Sequence, residues 1–383
     1  MKIFHTADWH LGKLVQGIYM TEDQRYILEQ FVKEIKKEKP DVVIIAGDLY
    51  DRGVPPTDAV HLLNDCLAEI VLDLKIPVVA VAGNHDSPGR LNFGSQIMKD
   101  NGLHIAGELS TDLSPVRLQD EYGEVHFHLV PYCDPSIVRN KFGDEEVKSH
   151  HDATEKVINH LKHQMKDQAR HVFVGHLFVT PRGEEKENTS DSERPLSIGG
   201  AEHVDANLFK PFHYTALGHL HQAHHVGDET IRYSGSPLKY SISEENHNKG
   251  YFIVEMDEHG EVEVEKRMLK PRKDLRTVEG YLQDLLKEEV NEDYVFVKLL
   301  DEHPILFPME QVRSVYPNAM HVERRVYAHT LKEQSERKIA RHKMSDQELF
   351  KAFYEDVKGE SPSDEVEAIM EEVFEGLLNE ERK

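Results

Sequence analysis

Apolar residues occur in short unbroken runs early in the chain. Residues 2–7 form one such run, 41–46 is almost continuous Val and Ile, and 78–82 reads Val-Val-Ala-Val-Ala. Runs of this length, rich in β-branched residues, suit strands buried on both faces of a sheet. In the intervals between them the period changes. Ile27, Leu28, Phe31, Val32 and Ile35 recur at helical spacing across 21–37, and Val60, Leu63, Leu67, Ile70 and Val71 do so in the next interval, so both are predicted helices. Pro40 ends the first, and Pro55-Pro56 marks the loop before the second. Each apolar run empties into a polar cluster: Asp8-Trp9-His10, then Gly47-Asp48, then Gly83-Asn84-His85-Asp86. Strands alternating with helices predict a βαβαβ half whose site lies at the carboxyl ends of the strands.

The middle of the chain reads as shorter strands, at 103–106, 115–118 and 125–131, followed by a helix over 152–166. A strand at 171–175 delivers His176, and a strand at 214–217 delivers Gly218-His219-Leu220-His221. Residues 182–194 are polar without periodicity and read as a mobile loop. Segments 231–233, 251–256 and 262–268 are expected to close this part as an antiparallel set. Residues 1–271 are thus expected to form one α/β domain of two sheets flanked by helices. Beyond Pro271 a helix (278–288), a strand (294–300), a helix (309–316) and a strand (320–326) predict a small α/β unit over 272–330. Residues 331–383 carry two amphipathic stretches. Leu349, Phe350, Phe353, Tyr354 and Val357 mark one, opened by a capping box at Ser345 and Glu348, and Val366, Ile369, Met370, Val373, Phe374 and Leu377 mark the other.

Composition narrows the picture. A chain of 383 residues exceeds what one core sustains, in keeping with a main domain and appendages. No run approaches the roughly 20 apolar residues that span a bilayer, and Met1-Lys2-Ile3-Phe4 opens a strand rather than a signal-like segment, so a cytoplasmic protein is expected. Cys66 and Cys133 are too few for a disulfide framework and read as structural. The formal charge of −24 excludes a stand-alone nucleic-acid binder that grips phosphates with Lys and Arg. Such a chain can act on DNA only if metal ions and a partner supply the positive charge.

The polar clusters at strand ends collect Asp8, His10, Asp48, Asn84, His176, His219 and His221. Asp8 and His10 stand at i and i+2, so both point to one side of an extended segment. Two carboxylates, one amide and four imidazoles without a thiolate suit Mn, Fe or Zn. Seven groups exceed the four of a structural zinc site and fit two ions sharing one carboxylate. Two ions would acidify a shared water and neutralise charge on a phosphoryl group. Lys13, Arg52 and Arg90 lie in loops beside these motifs and read either as phosphate contacts or as solvated loop charges. His224 and His225 read as bystanders, and Trp9 as loop packing.

Taken in order, Asp-X-His, Gly-Asp, Gly-Asn-His-Asp, Gly-His and Gly-His-X-His resemble the calcineurin-like metallophosphoesterase superfamily, whose fold is a four-layer sandwich. Within it, the stretches His5–Gly12, Gly47–Pro56, Gly83–Ser87, Ala216–His219 and Tyr233–Pro237 resemble the SbcD family of bacterial nucleases. The resemblance implies that Asp8, His10 and His221 hold a first metal, that Asn84, His176 and His219 hold a second, and that Asp48 bridges them, with Mn2+ as the expected ion. It assigns His85 to the leaving group and Asp86 to the orientation of His85. Archaeal and eukaryotic relatives place a His where this chain has Asp51, which leaves Asp51 as an orienting group at the site edge or a loop-structural residue. The resemblance further implies a capping domain that touches DNA and a C-terminal helical pair that grips a coiled-coil ATPase of the SbcC type. A homodimer within a heterotetramer is expected, associated with the nucleoid. The implied activities are 3′-to-5′ exonuclease on double-stranded ends and endonuclease on single strands and hairpins, in DNA repair and recombination. Two other readings fit the same residues: a phosphoesterase for small phosphate esters, and a scaffold that kept the fold without the chemistry.

Overall fold

A computed structural model describes residues 1–166, 168–181, 190–193, 203–324, 346–359, 361–363, 366–370 and 373. Within 1–324 two six-stranded mixed sheets stack face to face. The first has the order 262–268, 250–256, 2–6, 42–46, 78–81, 103–106, in which the last four strands are parallel and the first two antiparallel. The second has the order 224–226, 228–233, 214–218, 170–176, 123–130, 116–120, with its four central strands parallel.

Alternation along the strands explains the layering. Ile3, Val42, Ile44, Val79 and Val81 of the first sheet meet Val125, Phe127, Val172, Val174 and Tyr214 of the second in one dry core between the sheets. Their neighbours Phe4, Val43, Ile45, Val78 and Ala80 face outward onto helices Thr21–Glu38 and Thr57–Ala68. Helix Thr21–Glu38 buries Ile27, Leu28, Phe31, Val32 and Ile35 there, each worth roughly 1.5–3 kcal/mol. Helix His150–Lys162 covers the outer face of the second sheet through Val157, Ile158 and Leu161. Helix, sheet, sheet, helix is the four-layer order.

Several boundaries and one assignment differ from expectation. Val60 is 42% exposed rather than on the core face, because the apolar stripe of its helix runs through Ala59, Leu62, Leu63, Cys66 and Leu67. The expected closing antiparallel set is divided between sheets: 228–233 runs parallel to 214–218 in the second, while 250–256 and 262–268 extend the first. Residues 278–288 do not form one helix. Leu275–Gly280 is a strand, followed by the short helix Leu282–Leu285. Val278 pairs in register with Val297, and Leu282 and Leu285 close over the same small core.

Strands Leu275–Gly280, Tyr294–Leu299 and Ala319–Arg324 form a third, wholly parallel sheet. It has its own core around Val295, Val297, Val312 and Tyr316, and it also lends Leu275, Tyr294 and Met320 to the core beside helix Thr21–Glu38. Asp23 in that helix accepts hydrogen bonds from Tyr294 Oη at 2.6 Å and Arg272 Nε at 3.1 Å.

Residues 325–383 form a separate unit. Helix Asp346–Lys358 packs the ring of Phe350 on that of Tyr354, and Lys351 pairs with Glu367 at 2.6 Å. Phe353, Ile369 and Val373 are exposed. Ser345, Phe374 and Leu377, like 182–189 and Arg194 of the expected loop, lie outside the described residues. Among the described residues no helix is long and apolar enough to cross a membrane.

Candidate metal centre

The carboxyl ends of strands 2–6, 42–46, 78–81, 170–176 and 214–218 meet at one edge of the sandwich. Their closeness depends on residues without a side chain. A Cβ on Gly218 would lie 1.9 Å from the Ala46 carbonyl oxygen, and one on Gly83 would lie 2.1 Å from Asp48 Oδ1. Backbone N–H groups of Asp8 and His10 donate to the carbonyls of Gly47 and Asp48 at 3.0 and 2.9 Å, stitching the first two loops together. Asp8, His10, Asp48 and His219 all hold positive φ, at 54°, 45°, 49° and 108°. Such conformations cost of order 1–3 kcal/mol each and cluster where a site imposes them.

The loops bring all seven candidate ligands to one place. His10 Nε2 stands 3.0 Å from His221 Nε2 and 3.6 Å from Asp48 Oδ2. On the other side of Asp48, Oδ2 lies 3.4 Å from His176 Nε2, which is itself 2.9 Å from Asn84 Oδ1. Asp8, His10 and His221 offer three ligand atoms within 4.8 Å of one another, as do Asp8, Asp48 and His176. The ring of His219 meets that of His176 edge-on at 5.4 Å, and its backbone N–H donates to Asp8 Oδ1 at 2.9 Å. Two ligands about 2.1 Å from a shared ion lie about 3 to 3.5 Å apart, so these spacings fit ion coordination. Asp8 Oδ2 is fully buried without a hydrogen-bond donor, a costly condition that a cation relieves.

Electrostatics divide the residues. Burial pushes the Asp8 carboxyl up to about 7. Burial acts the same way on Asp48, but the rings of His176 and His10 outweigh it and hold that carboxyl well below the usual range. Burial would lower His176, yet Asp48 and Asp8 raise it to about 9. Burial holds His10 and His219 well below the ordinary imidazole value, as suits neutral ligands.

Asp86 departs from its expected role. Its carboxylate accepts from the backbone N–H groups of Leu49 (3.1 Å), Tyr50 (2.9 Å) and Gly83 (2.9 Å), tying two loops together. The half-buried His85 is held instead through Nδ1 by the carbonyl of Asp51 at 2.8 Å, and its ring sits 4.7 Å from that of His10. The Asp51 side chain lies 3.6 Å from His10 Nδ1 and pairs with Lys13 at 2.9 Å. Arg52 and Arg90 are exposed. His224 stacks on Tyr233, and the indole of the buried Trp9 donates to Thr6 Oγ1.

The family model described as calcineurin-like phosphoesterase matches residues 1–223, and the one described as type 5 capsule protein repressor C-terminal domain matches 271–358. A protein from Staphylococcus epidermidis, named as the SbcD component of the nuclease SbcCD, is 35% identical over 361 residues, 93% of this chain and 93% of its own. A protein of the same name from Staphylococcus saprophyticus is 35% identical over 387 residues, covering 100% of both chains. The chain belongs to the SbcD branch of the calcineurin-like phosphoesterases. It is accordingly a metal-dependent hydrolase. A solved dimetal phosphatase from Danio rerio covers 70% of this chain and 96% of its own at 12% identity with a TM-score of 0.40, and no argument rests on it.

Residues that the motifs did not single out complete this phosphoesterase site. Gln24, at the start of helix Thr21–Glu38, donates to the carbonyls of Trp9 and His10 and accepts from Gly12 N–H, so it braces the loop between two ligands. Tyr240 Oη donates to the Trp9 carbonyl at 2.5 Å. Glu244 and Lys249 form a buried pair behind His221. The Tyr233–Pro237 stretch pointed to this region, but nothing in the Ser-Glu-Glu run around Glu244 distinguishes a buried carboxylate from a solvated one.

Proposed function

We propose that the chain is a two-metal DNA phosphodiesterase. On this reading Asp8, His10 and His221 hold one ion, Asn84, His176 and His219 the other, and Asp48 joins them. The observation that carries it is the place of Asp48 Oδ2, 3.6 Å from His10 Nε2 on one side and 3.4 Å from His176 Nε2 on the other. Divalent ions bound there, Mn2+ on this proposal, would supply an activated water and charge neutralisation at the phosphoryl oxygens. The ionised Asp48 is the natural carboxylate to share. His85 Nδ1 donates to the Asp51 carbonyl, which leaves Nε2 as the ring nitrogen that delivers a proton to the departing oxygen. Asp86 serves that step at one remove, by fixing the turn that carries His85.

The relatives are named as one component of a two-part nuclease, SbcCD, which supports DNA as the substrate and a second protein as partner. The proposed activities are 3′-to-5′ exonuclease on double-stranded ends and endonuclease on single strands and hairpins. The proposed assembly is a dimer joined to a coiled-coil ATPase through residues 331–383, with 1–271 as the catalytic domain and 272–330 as the DNA-contacting cap. A charge of −24 fits a chain whose grip on DNA comes from that partner.

Incubating the chain with Mn2+ and hairpin DNA, alone and with the co-purified ATPase, tests the reading. Wild type is expected to cut, and His85→Ala and Asp48→Ala are expected to lose at least a hundredfold in rate. Undiminished cleavage by either variant would sink the mechanism. Hydrolysis of bis-p-nitrophenyl phosphate with no action on DNA would favour the small-ester alternative.

A further inference from the structure

Behind His221, on the side away from Asp8 and His10, lies a buried carboxylate that the proposed chemistry does not use. Glu244 is fully buried, and its Oε1 accepts from His221 Nδ1 at 3.0 Å, from Ser190 Oγ at 3.2 Å and from Ser192 Oγ. Its Oε2 accepts from Lys249 Nζ at 2.5 Å. Lys249 is only 7% exposed and donates also to the carbonyl of His221 and to Ser236 Oγ, both at 2.8 Å. The backbone N–H of His221 is in turn held by Glu193 Oε1 at 2.7 Å. His221 is therefore fixed at its ring, its N–H and its carbonyl by three charged side chains.

An isolated buried carboxylate would be prohibitively costly, and burying one beside Lys249 is tolerable because the two charges cancel. A pair of this kind adds little stability over apolar residues of the same size. Its location is what distinguishes it: the one imidazole nitrogen it engages is Nδ1, which leaves Nε2 to point at His10 Nε2, 3.0 Å away. A carboxylate on the far nitrogen of a ligand imidazole fixes its tautomer and ring orientation and raises its basicity.

Resting on the two-ion reading above, we infer that Glu244 is a positioning residue. It holds His221 as the Nδ1–H tautomer with Nε2 aimed at the ion shared with Asp8 and His10, while Lys249 supplies the balancing charge. Ser190 and Ser192 complete the hydrogen bonds of the same oxygen. The effect is local to one of the two ions, since His176 takes its own tautomer from a different acceptor, the Ala46 carbonyl, which its Nδ1 meets at 3.0 Å.

The test is calorimetric titration of the full chain with Mn2+ alone, together with thermal melting before metal is added. The double variant Glu244→Leu, Lys249→Met removes both charges at once and so leaves neither buried alone. It is expected to melt within a few degrees of wild type yet to bind one of two Mn2+ ions about 10- to 100-fold more weakly, with the other affinity unchanged. Two ions bound as tightly as in wild type would overturn the proposal, and so would equal weakening of both ions accompanied by a lower melting temperature. Should the double variant fail to fold, Glu244→Asp keeps the charge beside Lys249 but falls short of His221. Its Mn2+ affinity is expected to drop at least tenfold at one site, and an unchanged affinity would overturn the proposal equally. A wild-type chain that binds no Mn2+ would instead refute the two-ion reading itself.

Discussion

Removing the Asp86 carboxylate leaves the N–H groups of Leu49, Tyr50 and Gly83 without their acceptor. At about 1–3 kcal/mol for each buried donor left unpaired, Asp86→Ala is expected to cost at least 3 kcal/mol in urea denaturation. His85→Ala gives up one hydrogen bond at a half-buried position and should stay within about 1 kcal/mol of wild type. The two neighbours would thus separate, one by stability and the other by cleavage rate. Glycines divide in the same way. A methyl on Gly218 would meet the backbone of Ala46 and cannot be absorbed by a rotamer change, whereas one on Gly17, at φ 83°, meets nothing within 4 Å. Gly218→Ala is expected to destabilise by about 3 kcal/mol or more, and Gly17→Ala by about 1 kcal/mol from backbone strain alone; melts of the two variants check this. At this scale the residue types were legible in the chain, because imidazoles and carboxylates after apolar runs are conspicuous. What each side chain bonds was not legible: Asp86 and His85 share a tetrapeptide, yet their partners lie 36 to 37 and 34 residues away.

Among the elements, the strands that deliver ligands were the easiest to read, since a strand buried on both faces is apolar at every position. The segment over 278–288 misled because Val278, Leu282 and Leu285 have helical spacing although Val278 belongs to a strand and the leucines to a helix. Periodicity cannot separate two short elements that bury their apolar residues in the same core. Partition of strands between the sheets was equally hidden, being decided by pairings such as Phe4 with Ile253 across the length of the domain. The strands also carry acid-sensitive side chains. Burial lowers His5 to about 3, and burial followed by the rings of His171 and His126 lowers His128 to about 3. Below pH 6.5 the unfolded chain binds protons on these rings that the folded chain refuses until about pH 3, so their contribution is whole above 6.5 and lost progressively beneath it. The loss approaches about 1.4 kcal/mol per pH unit for each ring. Urea midpoints at pH 7.5 and 5.5 should differ less in His128→Leu than in wild type.

For the whole molecule, ions that bind only the folded state stabilise it by about 2.7 kcal/mol at a hundred times their dissociation constant. Saturating Mn2+ is therefore expected to raise the melting temperature by about 5 °C, EDTA to reverse the rise, and Asp48→Ala to abolish most of it. The site is a joint between two sheets. Asp8, His10, Asp48 and Asn84 come from the first sheet, and His176, His219 and His221 from the second. The seam is set by contacts as close as that of Gly218 with Ala46. A ribosome releasing this chain has made every ligand of the first sheet by residue 84, but the last two appear only after Gly218. On the two-ion reading, a nascent or truncated chain cannot cut, and hydrolysis begins only when the second sheet has been synthesised and has closed on the first. Catalytic competence would then report completed folding, and the cell would never hold a half-made nuclease able to act on its DNA.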